Sequence, residues 1–466
     1  MKQYNKYEKK NEKNGKRSVV RFPFFREDVK MKKNIIFYFS DQQRADTVNE
    51  ALTPNLMRLA DEGVLFENNF TCQPVCGPAR ACLQTGVYAT QNGCFVNGIA
   101  LKENTKTLAH HFKQAGYQTA YIGKWHLASD RFPGVGVHCE SEAIPKERLG
   151  GYEYFRGADV LEFTSHGYDG YIFDENGNRT DFTGYRADCI NDFALEFLDK
   201  KDEDKPFFLF VSQLEPHHQN DRHTYEGYKP TVEKFKAYPL PDDLTFLKGD
   251  YKKMYPDYLS AINRLDYNVG RLIEKLKEKG IYDDTVIVYT SDHGCHFKTR
   301  NAEYKRSCHE NTVRTPLIIK GGAFSGGRKE SRLTSLIDLP PTLLSLAGIK
   351  VPGEYMGLDL ASDEIKERPC VYIQISESQL ARCIRTDRYK YSVRAPFNGM
   401  AKAKSRIYFE DYLYDLDSDP NEKTNLIKEK SLSKERKELR EMLLSEMEKA
   451  DEGKAIILPA IRARKK

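Results

Sequence analysis

The strongest constraint on the fold comes from four short, almost wholly apolar segments that alternate with helical patterns. They are Asn34–Ser40 (NIIFYFS), Tyr117–Gly123 (YQTAYIG), Pro206–Ser212 (PFFLFVS) and Thr285–Ser291 (TVIVYTS). Near-continuous apolar character over such short lengths, with many β-branched and aromatic residues, predicts strands that are buried on both faces. Strands of this kind form a mostly parallel sheet covered by helices, so we predict an α/β fold.

Helical patterns fill the intervals between these strands. Thr107–Gly116, Ala187–Lys200 and Tyr258–Gly280 carry apolar residues at helical spacing, and the first and third end at a glycine. Ser335–Gly348 predicts another packing helix, with Asp338 as its N-cap and prolines in its first turn. We expect these helices to flank the sheet.

The pattern changes after about residue 363. Arg382–Arg394 and Asp411–Leu426 alternate and turn in the way that is typical of antiparallel strands, and Lys434–Ala450 predicts an amphipathic helix. We therefore predict a small C-terminal α+β subdomain with an antiparallel sheet. The predicted divisions are a basic arm over 1–32, a main domain over 33–363 and the subdomain over 364–466.

Charge and length exclude some classes of protein. The 466 residues include 73 basic and 68 acidic ones, and this small surplus does not indicate nucleic-acid binding. Many of the basic residues fall in the N-terminal arm, which we predict to be flexible. No segment approaches the ~18 apolar residues of a membrane span, and no secretory signal is recognisable. We expect a cytoplasmic protein without a membrane partner, whose ten cysteines are reduced thiols.

Polar side chains follow each of the four predicted strands. In sheets of this class, ligands bind beyond the carboxyl ends of the strands. The residues at these positions are Asp41 and Gln42, Lys124 and His126, His217 and His218, and Asp292 and His293. Titratable or metal-binding groups at four strand ends predict a functional site at this edge of the sheet.

A cysteine-rich stretch, Asn69–Cys94, lies between the first and second of these strands. Cys72 and Cys76 are followed by no Cys or His pair at zinc-site spacing, and a disulfide is disfavoured in a cytoplasmic protein. What remains is a Cys-x-Pro-x-Arg pentapeptide from Cys76 to Arg80 that continues as Leu-x-Thr-Gly. This extended motif is far more specific than the pentapeptide alone.

The segment CGPARACLQTG resembles the signature of the formylglycine-dependent sulfatases, a family of the alkaline-phosphatase-like superfamily. The resemblance extends, in order along the chain, to Asp41–Gln42, Gly123–Leu127 (GKWHL), Pro206–His218, Ser291–Gly294 (SDHG), Ser335–Gly348 and Tyr414–Leu426. It implies an alkaline-phosphatase-like, mostly parallel sheet flanked by helices, a C-terminal antiparallel subdomain, and the hydrolysis of sulfate esters. The main domain, 33–363, would then be the catalytic sulfatase domain.

In this family the cysteine of the motif is oxidised to formylglycine by a maturation enzyme, and the resemblance implies this fate for Cys76. A hydrated aldehyde has two hydroxyl groups: one attacks sulfur, and deprotonation of the other releases the sulfate. Because a sulfate ester is anionic, such a site needs positive charge near the nucleophile. If residue 76 begins a helix, as in the family, the helix N-terminus adds to that charge.

The resemblance also implies a metal site. Its ligands would be Asp41, Gln42, Asp292 and His293, beside residue 76. Carboxylate and amide oxygens suit Ca²⁺. Many members carry Asp where Gln42 stands and Asn where His293 stands, and imidazole there resembles the phosphonate monoester hydrolase and choline-sulfatase branches. A nitrogen ligand leaves Mn²⁺ open as the alternative.

The remaining predicted site residues are carried over from the family's motifs. Arg80 and Lys124 would hold the oxygens of the nucleophile and the sulfate. His126 would be a base that helps to release the sulfate. His217 would act near the leaving oxygen as a general acid, together with the sulfate-binding Lys305.

The substrate is predicted less directly. The segment KRSCHE resembles carbohydrate-sulfatase branches, so we expect a sulfated mono- or oligosaccharide or another sulfate ester, with His218, Arg300 and His309 as substrate-binding residues. Three alternatives stay open: a phosphonate monoester or phosphodiester hydrolase on the same scaffold, a non-catalytic binding homologue, and a metal-storage or redox protein that uses the cysteine cluster. The cysteine spacing disfavours the last of these.

Overall fold

An eleven-stranded sheet forms the centre of this computed structural model, which describes residues 32–130, 136–364 and 367–460. The strands of this sheet and of two smaller sheets, in chain order, are β1 (Asn34–Ser40), β2 (Val64–Phe66), β3 (Asn69–Phe70), β4 (Gln118–Lys124), β5 (Tyr154–Ala158), β6 (Ser165–His166), β7 (Asp169–Asp174), β8 (Arg179–Thr183), β9 (Phe207–Ser212), β10 (Thr285–Ser291), β11 (Leu317–Lys320), β12 (Arg328–Glu330), β13 (Thr334–Ser335), β14 (Val371–Ile375), β15 (Ala381–Arg385), β16 (Tyr389–Arg394), β17 (Ile407–Asp415) and β18 (Ile456–Leu458). The predicted N-terminal arm lies, apart from Lys32, outside the described residues.

Helices cover the sheet and connect its strands. In chain order they are α1 (Pro54–Glu62), α2 (Cys76–Thr85), α3 (Ala89–Asn92), α4 (Leu108–Gln114), α5 (Leu161–Thr164), α6 (Arg186–Lys200), α7 (Lys229–Val232), α8 (Asp242–Thr245), α9 (Tyr251–Glu278), α10 (Glu310–Val313), α11 (Leu339–Leu346) and α12 (Ser433–Lys449). Among the described residues, no helix combines the length and the apolar character that a bilayer crossing requires.

The middle of the sheet is parallel. Its strand order is β12-β2-β11-β10-β1-β9-β4-β5-β7-β6, with β8 paired to β7, and the run from β10 to β5 is parallel throughout. Strands β1 and β10 coincide with the predicted segments, while β4 and β9 begin one residue later than predicted. The α/β prediction is confirmed, and the carboxyl ends of the four predicted strands meet at one edge.

Both faces of the central parallel strands are buried, as the apolar runs predict. Ile35, Phe37 and Phe39 of β1 belong to one apolar cluster, to which α2, α4 and α11 contribute. Ile36 and Tyr38 belong to a second cluster, together with residues of α1, α6 and α9. The alternation of side chains along a strand therefore places β1 between two helical layers.

Helix α9 begins at Tyr251, seven residues before the predicted start, and it contains Pro256. A proline inside a helix removes one backbone hydrogen bond and costs about 3 kcal/mol. The extra turns are nevertheless formed because Tyr251, Met254 and Tyr255 are buried against Phe297 and other residues of a third apolar cluster. Tertiary packing decides the conformation here, not local propensity.

The C-terminal part contains a five-stranded sheet in the order β14-β15-β16-β17-β18. Pairing is antiparallel from β14 to β17, whereas β17 and β18 are parallel. Leu439, Leu443 and Met447 of α12 are buried, as the amphipathic pattern predicts. They lie in the same apolar cluster as Phe37 of β1, so the core continues across the predicted boundary at residue 363.

Candidate active site

Four buried side chains converge at the carboxyl edge of the parallel strands. Asp41 follows β1, Asp292 and His293 follow β10, and Cys76 is the first residue of α2. One ligand atom from each of these residues lies within 4.8 Å of the other three. The sulfur of Cys76 is 3.5 Å from Asp41 Oδ1 and 3.3 Å from His293 Nε2. These four residues thus form a compact, buried cluster at the predicted edge of the sheet.

The start of α2 is held in place around Cys76. Val75 is the N-cap in extended conformation, and its carbonyl accepts the N–H of Ala79 at 2.9 Å. The N–H of Gly77 donates to Asn97 Oδ1 at 2.9 Å. Residue 76 therefore begins the helix, as predicted, and lies where the positive end of the helix dipole favours anionic oxygens.

Two buried cations share the Asp41 carboxylate. Arg80 Nη2 is 2.9 Å and Lys124 Nζ is 2.7 Å from Asp41 Oδ2. Arg80 Nη1 also donates to the Lys124 carbonyl oxygen at 3.0 Å and to Ser212 Oγ at 2.6 Å. Burial raises the pKa of Asp41, but the charges of Lys124 and Arg80 outweigh it and hold this pKa well below its usual value.

A third cation, Lys305, approaches the residue that the motif singles out. Its Nζ is 2.7 Å from Cys76 Sγ. Burial raises the pKa of the Cys76 thiol, but Lys124 and Lys305 outweigh it and hold this pKa well below the usual value. The surroundings of residue 76 therefore stabilise a negative charge at that position.

The donor set at this cluster fits a divalent cation. Asp292 Oδ2 is buried and has no hydrogen-bond partner, and burial together with the neighbouring Asp41 raises the pKa of Asp292 to about 7. Two buried carboxylates this close repel each other, and a bound cation removes that repulsion. Gln42 Nε2 donates to the Tyr225 hydroxyl at 2.8 Å, which leaves the amide oxygen of Gln42 for a ligand.

A cleft of about 770 Å³ opens above the cluster. Seven of the predicted site residues line it: Gln42, Cys76, Lys124, His126, His217, His218 and Lys305. The buried side chains of Asp41, Asp292 and His293 cluster with Cys76, which is one of the lining residues. The structure therefore brings eleven predicted site residues together, once Arg80, which contacts both Asp41 and Lys124, is included.

The two histidines after β9 lie side by side in different surroundings. His217 Nε2 is 3.1 Å from Lys305 Nζ, and its Nδ1 is 3.2 Å from Glu162 Oε2. The His218 ring stacks on Tyr304 with 4.3 Å between centroids, and burial lowers the pKa of His218 to about 4. His217 lies beside Lys305, which in turn contacts Cys76, whereas His218 is a wall residue of the cleft that is neutral at neutral pH.

His126 has a left-handed backbone, with φ 61°, and Asp159, the residue that follows β5, holds it there. Its N–H donates to the carbonyl of Asp159 at 2.8 Å. The carboxylate of Asp159 accepts the N–H groups of Leu127, Ala128 and Ser129, each at 2.9 Å. Asp159 thus fixes the loop after β4 and keeps His126 in the cleft.

Arg300 and His309 are placed away from this cleft. Arg300 donates to the carbonyls of Asn421 and Glu422, at 2.8 and 3.0 Å. His309 is buried, with Nε2 3.2 Å from the Tyr414 hydroxyl, and burial holds its pKa well below the usual value. Both side chains form their hydrogen bonds with residues of the C-terminal part. We therefore remove Arg300 and His309 from the predicted substrate-binding residues.

The sequence did not single out several residues of the cleft, including Glu162, Asn97, Tyr304, Arg306 and Glu377. Glu162 follows β5, a fifth parallel strand that ends at the same edge. The strand signal of β5 is weak because the segment is short and includes Arg156 and Gly157. Recognising β5 as a strand would have pointed to Asp159 and Glu162 by the rule that identified the other residues.

Known proteins resemble this chain over most of its length. A family model described as Sulfatase matches residues 33–349, and one described as N-sulphoglucosamine sulphohydrolase, C-terminal, matches residues 302–449. The uncharacterized sulfatase YidJ of Escherichia coli (strain K12) is 30% identical in an alignment that covers 89% of this chain and 87% of that protein. An N-acetylglucosamine-6-O-sulfatase of Bacteroides thetaiotaomicron is 27% identical in an alignment that covers 88% of this chain and 85% of that protein.

A solved structure supports the fold. It is that of a protein in complex with its substrate, D-glucosamine-2-N,6-O-disulfate, and it has a TM-score of 0.76 at 24% identity. The alignment covers 91% of this chain and 99% of that chain, which confirms the predicted fold class. Because the Sulfatase model spans more than half of the chain and a relative at 30% identity extends over most of it, this protein belongs to the sulfatase family and is a sulfuric ester hydrolase.

Proposed function

We propose that this sulfatase removes sulfate from a mono- or oligosaccharide, with a formylglycine made from Cys76 and a divalent cation, Ca²⁺ or Mn²⁺. The observation that carries the proposal is the position of Cys76: it begins a helix, lies among two carboxylates and an imidazole, and is within 2.7 Å of a lysine at the base of the cleft. The cytoplasmic location and the maturation enzyme stay predictions from the sequence.

Asp41, Gln42, Asp292 and His293 would hold the cation. When present, the cation would supply positive charge against the anionic ester, and the hydrated formylglycine would supply the oxygen nucleophile. The fit rests on the unpartnered Asp292 oxygen and on the oxygen-rich donor set. The imidazole of His293 is the reason for keeping Mn²⁺ beside Ca²⁺.

The other residues have separable roles in the proposed reaction. Lys124 and Lys305 bind the sulfate oxygens as point charges, and Arg80 holds Asp41 and the end of β4 at Lys124 in place. His217, beside Lys305, gives a proton to the leaving oxygen. His126 takes a proton when the sulfate is released.

Three features support a sugar as the leaving group. A cleft of about 770 Å³ is large enough for a sugar unit beyond the sulfate. Tyr304, paired with His218, offers an aromatic wall, and Phe163 at the cleft is 60% exposed, which suits stacking on a sugar ring. One relative is named as an N-acetylglucosamine-6-O-sulfatase, and the solved structure contains a sulfated glucosamine.

Mass spectrometry and one substitution test this proposal. In the peptide that spans residue 76, formylglycine lowers the mass by about 18 Da relative to cysteine. The Cys76→Ala variant should fold normally but lose all turnover of sulfate esters, because the nucleophile is absent. Cys94→Ala is the matched control: this buried thiol, whose pKa burial raises to about 12, should be dispensable for turnover.

Turnover is measured by sulfate release, and folding by thermal unfolding of each variant. Full activity in Cys76→Ala would overturn the proposal. Parallel assays with phosphonate and phosphate esters would show whether the sulfate ester is the preferred class, as we expect for a sulfatase.

A further inference from the structure

Glu162 is a nearly buried carboxylate in the wall of the cleft, with its side chain 11% exposed. Among the residues that the structure describes, no lysine or arginine lies within ion-pair distance of it. Burial raises the pKa of Glu162, but His217 and Lys124 outweigh it and hold this pKa below the usual value, so the side chain is ionised at neutral pH. A buried charge without a cation at contact distance costs stability, which points to a function for it.

The carboxylate is aimed at His217. Oε2 of Glu162 is 3.2 Å from His217 Nδ1, and Oε1 accepts a hydrogen bond from Asn220 Nδ2 at 2.9 Å. The backbone carbonyl of Glu162 accepts from Gln219 Nε2 at 3.0 Å. Two residues that follow His217 closely in the chain therefore fix Glu162 next to it.

These contacts determine which nitrogen of neutral His217 carries the proton. A carboxylate only accepts hydrogen bonds and an ammonium group only donates them. The proton therefore lies on Nδ1, facing Glu162, and the free Nε2 faces Lys305 at 3.1 Å. The Nδ1 contact is close but not aligned as a full hydrogen bond, and catalytic pairs often tighten only when substrate binds.

We propose that Glu162 is a positioning residue that orients His217, with Nε2 toward the leaving oxygen, and stabilises the positive charge that His217 carries as proton donor. In this step the S–O bond to the sugar breaks, and its electron pair stays on the sugar oxygen. That oxygen takes the Nε2 proton while sulfur passes to the attacking nucleophile. His217 is left neutral, with its remaining proton on Nδ1 toward Glu162. The inference rests on the proposed function.

The cations around His217 disfavour its protonated form, so a proton donor at this position needs a carboxylate nearby. Lys305 and Lys124 oppose its protonation, whereas Asp41 and Glu162 favour it. Burial and Lys305 together lower the pKa of His217 below the usual value. The adjacent His218 is neutral at neutral pH, and Asp41 is already paired with Arg80 and Lys124. Glu162 is therefore the carboxylate left to support the charged form of His217.

The test is the Glu162→Gln variant with three sulfate esters whose leaving groups become steadily poorer: 4-nitrophenyl sulfate, phenyl sulfate and N-acetylglucosamine 6-sulfate. A proton donor matters most for the poorest leaving group, and general acid catalysis contributes roughly 10²–10⁴ in rate. We expect kcat to fall about 10²-fold on the sugar sulfate and less than about threefold on 4-nitrophenyl sulfate. The alkaline limb of the sugar-sulfate profile should move to lower pH, because loss of a negative charge lowers the His217 pKa further.

Two further variants complete the design. Glu303→Gln is the matched control, because Glu303 also lines the cleft but pairs with Arg306 at 2.7 Å; it should change all three substrates by the same factor. Glu162→Asp keeps the charge on a shorter side chain, so the alkaline limb should stay in place while kcat on the sugar sulfate falls. This variant also decides the question if Glu162→Gln does not fold.

The outcomes are distinct. An equal loss on all three esters in Glu162→Gln, or in Glu162→Asp, would overturn the role of Glu162 while leaving the sulfatase mechanism intact. No turnover of any of the three esters by the wild-type enzyme with formylglycine at position 76 would instead overturn the proposed function. A loss that grows as the leaving group becomes poorer supports the inference.

Discussion

His296 is an imidazole with no solvent exposure, three positions beyond His293. Its Nε2 lies 3.2 Å from the Lys305 carbonyl oxygen, and its Nδ1 has no partner. Burial lowers the pKa of His296 to about 4, compared with 6.5 in the unfolded chain. Above pH 6.5 both states are neutral at this residue. As the pH falls from 6.5 to 4 the unfolded chain binds the proton first, so folding stability is lost across this window.

We predict that wild-type protein loses about 3 kcal/mol more unfolding free energy between pH 7 and pH 4 than a His296→Gln variant does. Urea unfolding at several pH values measures the difference. His138→Gln removes a partly exposed imidazole and serves as the matched control. Identical pH slopes in wild type and His296→Gln would show that His296 is not the buried neutral group described here.

At the same scale, some site residues could be predicted and others could not. Asp41, Lys124 and Asp292 each stand at or directly after the end of an apolar strand, where the chain itself fixes their position. Glu162 was missed because the strand signal of β5, which precedes it, is weak. Its role could not be predicted from a strand end alone, because it depends on a contact with His217, 55 positions further along the chain. Arg300 was misplaced for the same reason: a loop position does not reveal which neighbour the side chain will meet.

At the scale of the element, strand β4 depends on a glycine. Gly123 has φ +106°, and a Cβ atom at this position would lie 1.9 Å from the backbone oxygen of Ser212 on β9. A Gly123→Ala change must therefore push β4 away from β9, where Gly123 and Ser212 are register partners. We predict a loss of roughly 3 kcal/mol or more of unfolding free energy, together with most of the activity, because Lys124 moves with the strand.

Gly116→Ala provides the comparison. Gly116 also has a positive φ, +84°, but a Cβ atom there meets nothing within 4 Å. The Gly116→Ala change should lower the unfolding free energy only by the backbone strain, about 1–2 kcal/mol, and should leave turnover unchanged. Thermal and urea unfolding of both variants, with sulfate release as the activity assay, separate the two effects. If both variants lose the same unfolding free energy, the close approach of β4 and β9 is not the reason for the glycine at position 123.

The elements that were predicted well are those whose pattern has a single interpretation. Strands β1 and β10 are apolar at nearly every position and are buried on both faces, so their limits were predicted to the residue. Strand β8 was missed because four of its five residues are exposed, and β7 because its apolar run, Tyr171 to Phe173, is only three residues long. The early start of α9 was missed because Pro256 is a local signal against a helix, and packing outweighs it.

At the scale of the whole molecule, the C-terminal sheet supports the loop that precedes α2. The N–H of Gln374 donates to the Cys72 carbonyl at 2.9 Å, and Gln73 Nε2 donates to Ser376 Oγ at 2.6 Å. The Glu377 carboxylate accepts the N–H of Asn97 at 2.7 Å, and Asn97 in turn accepts the N–H of Gly77. The geometry at residue 76 therefore depends on residues that lie some 300 positions away in the chain.

This dependence leads to a prediction about truncation. A chain that ends at Asp363 loses Tyr372, Ile384 and Leu443 from the apolar cluster that also contains Phe37, and it loses Glu377 and Ser378 from the cleft. Burial of each such side chain contributes about 1.5–3 kcal/mol, so the loss of many exceeds the 5–15 kcal/mol by which a typical domain is stable. We expect the truncated chain to be insoluble or partly unfolded, and inactive on every sulfate ester.

The measurements are soluble yield, near-ultraviolet circular dichroism and sulfate release, with the full-length chain as reference. Co-expression of residues 364–466 as a separate chain is the decisive control, because the apolar face and the contacts to Gln73 and Asn97 can then be restored without a covalent link. Recovery of turnover by co-expression would show that the sheet acts through these contacts. A truncated chain that is soluble and fully active by itself would mean that residues 33–363 form an independent domain and that the shared core is not needed for folding or for catalysis.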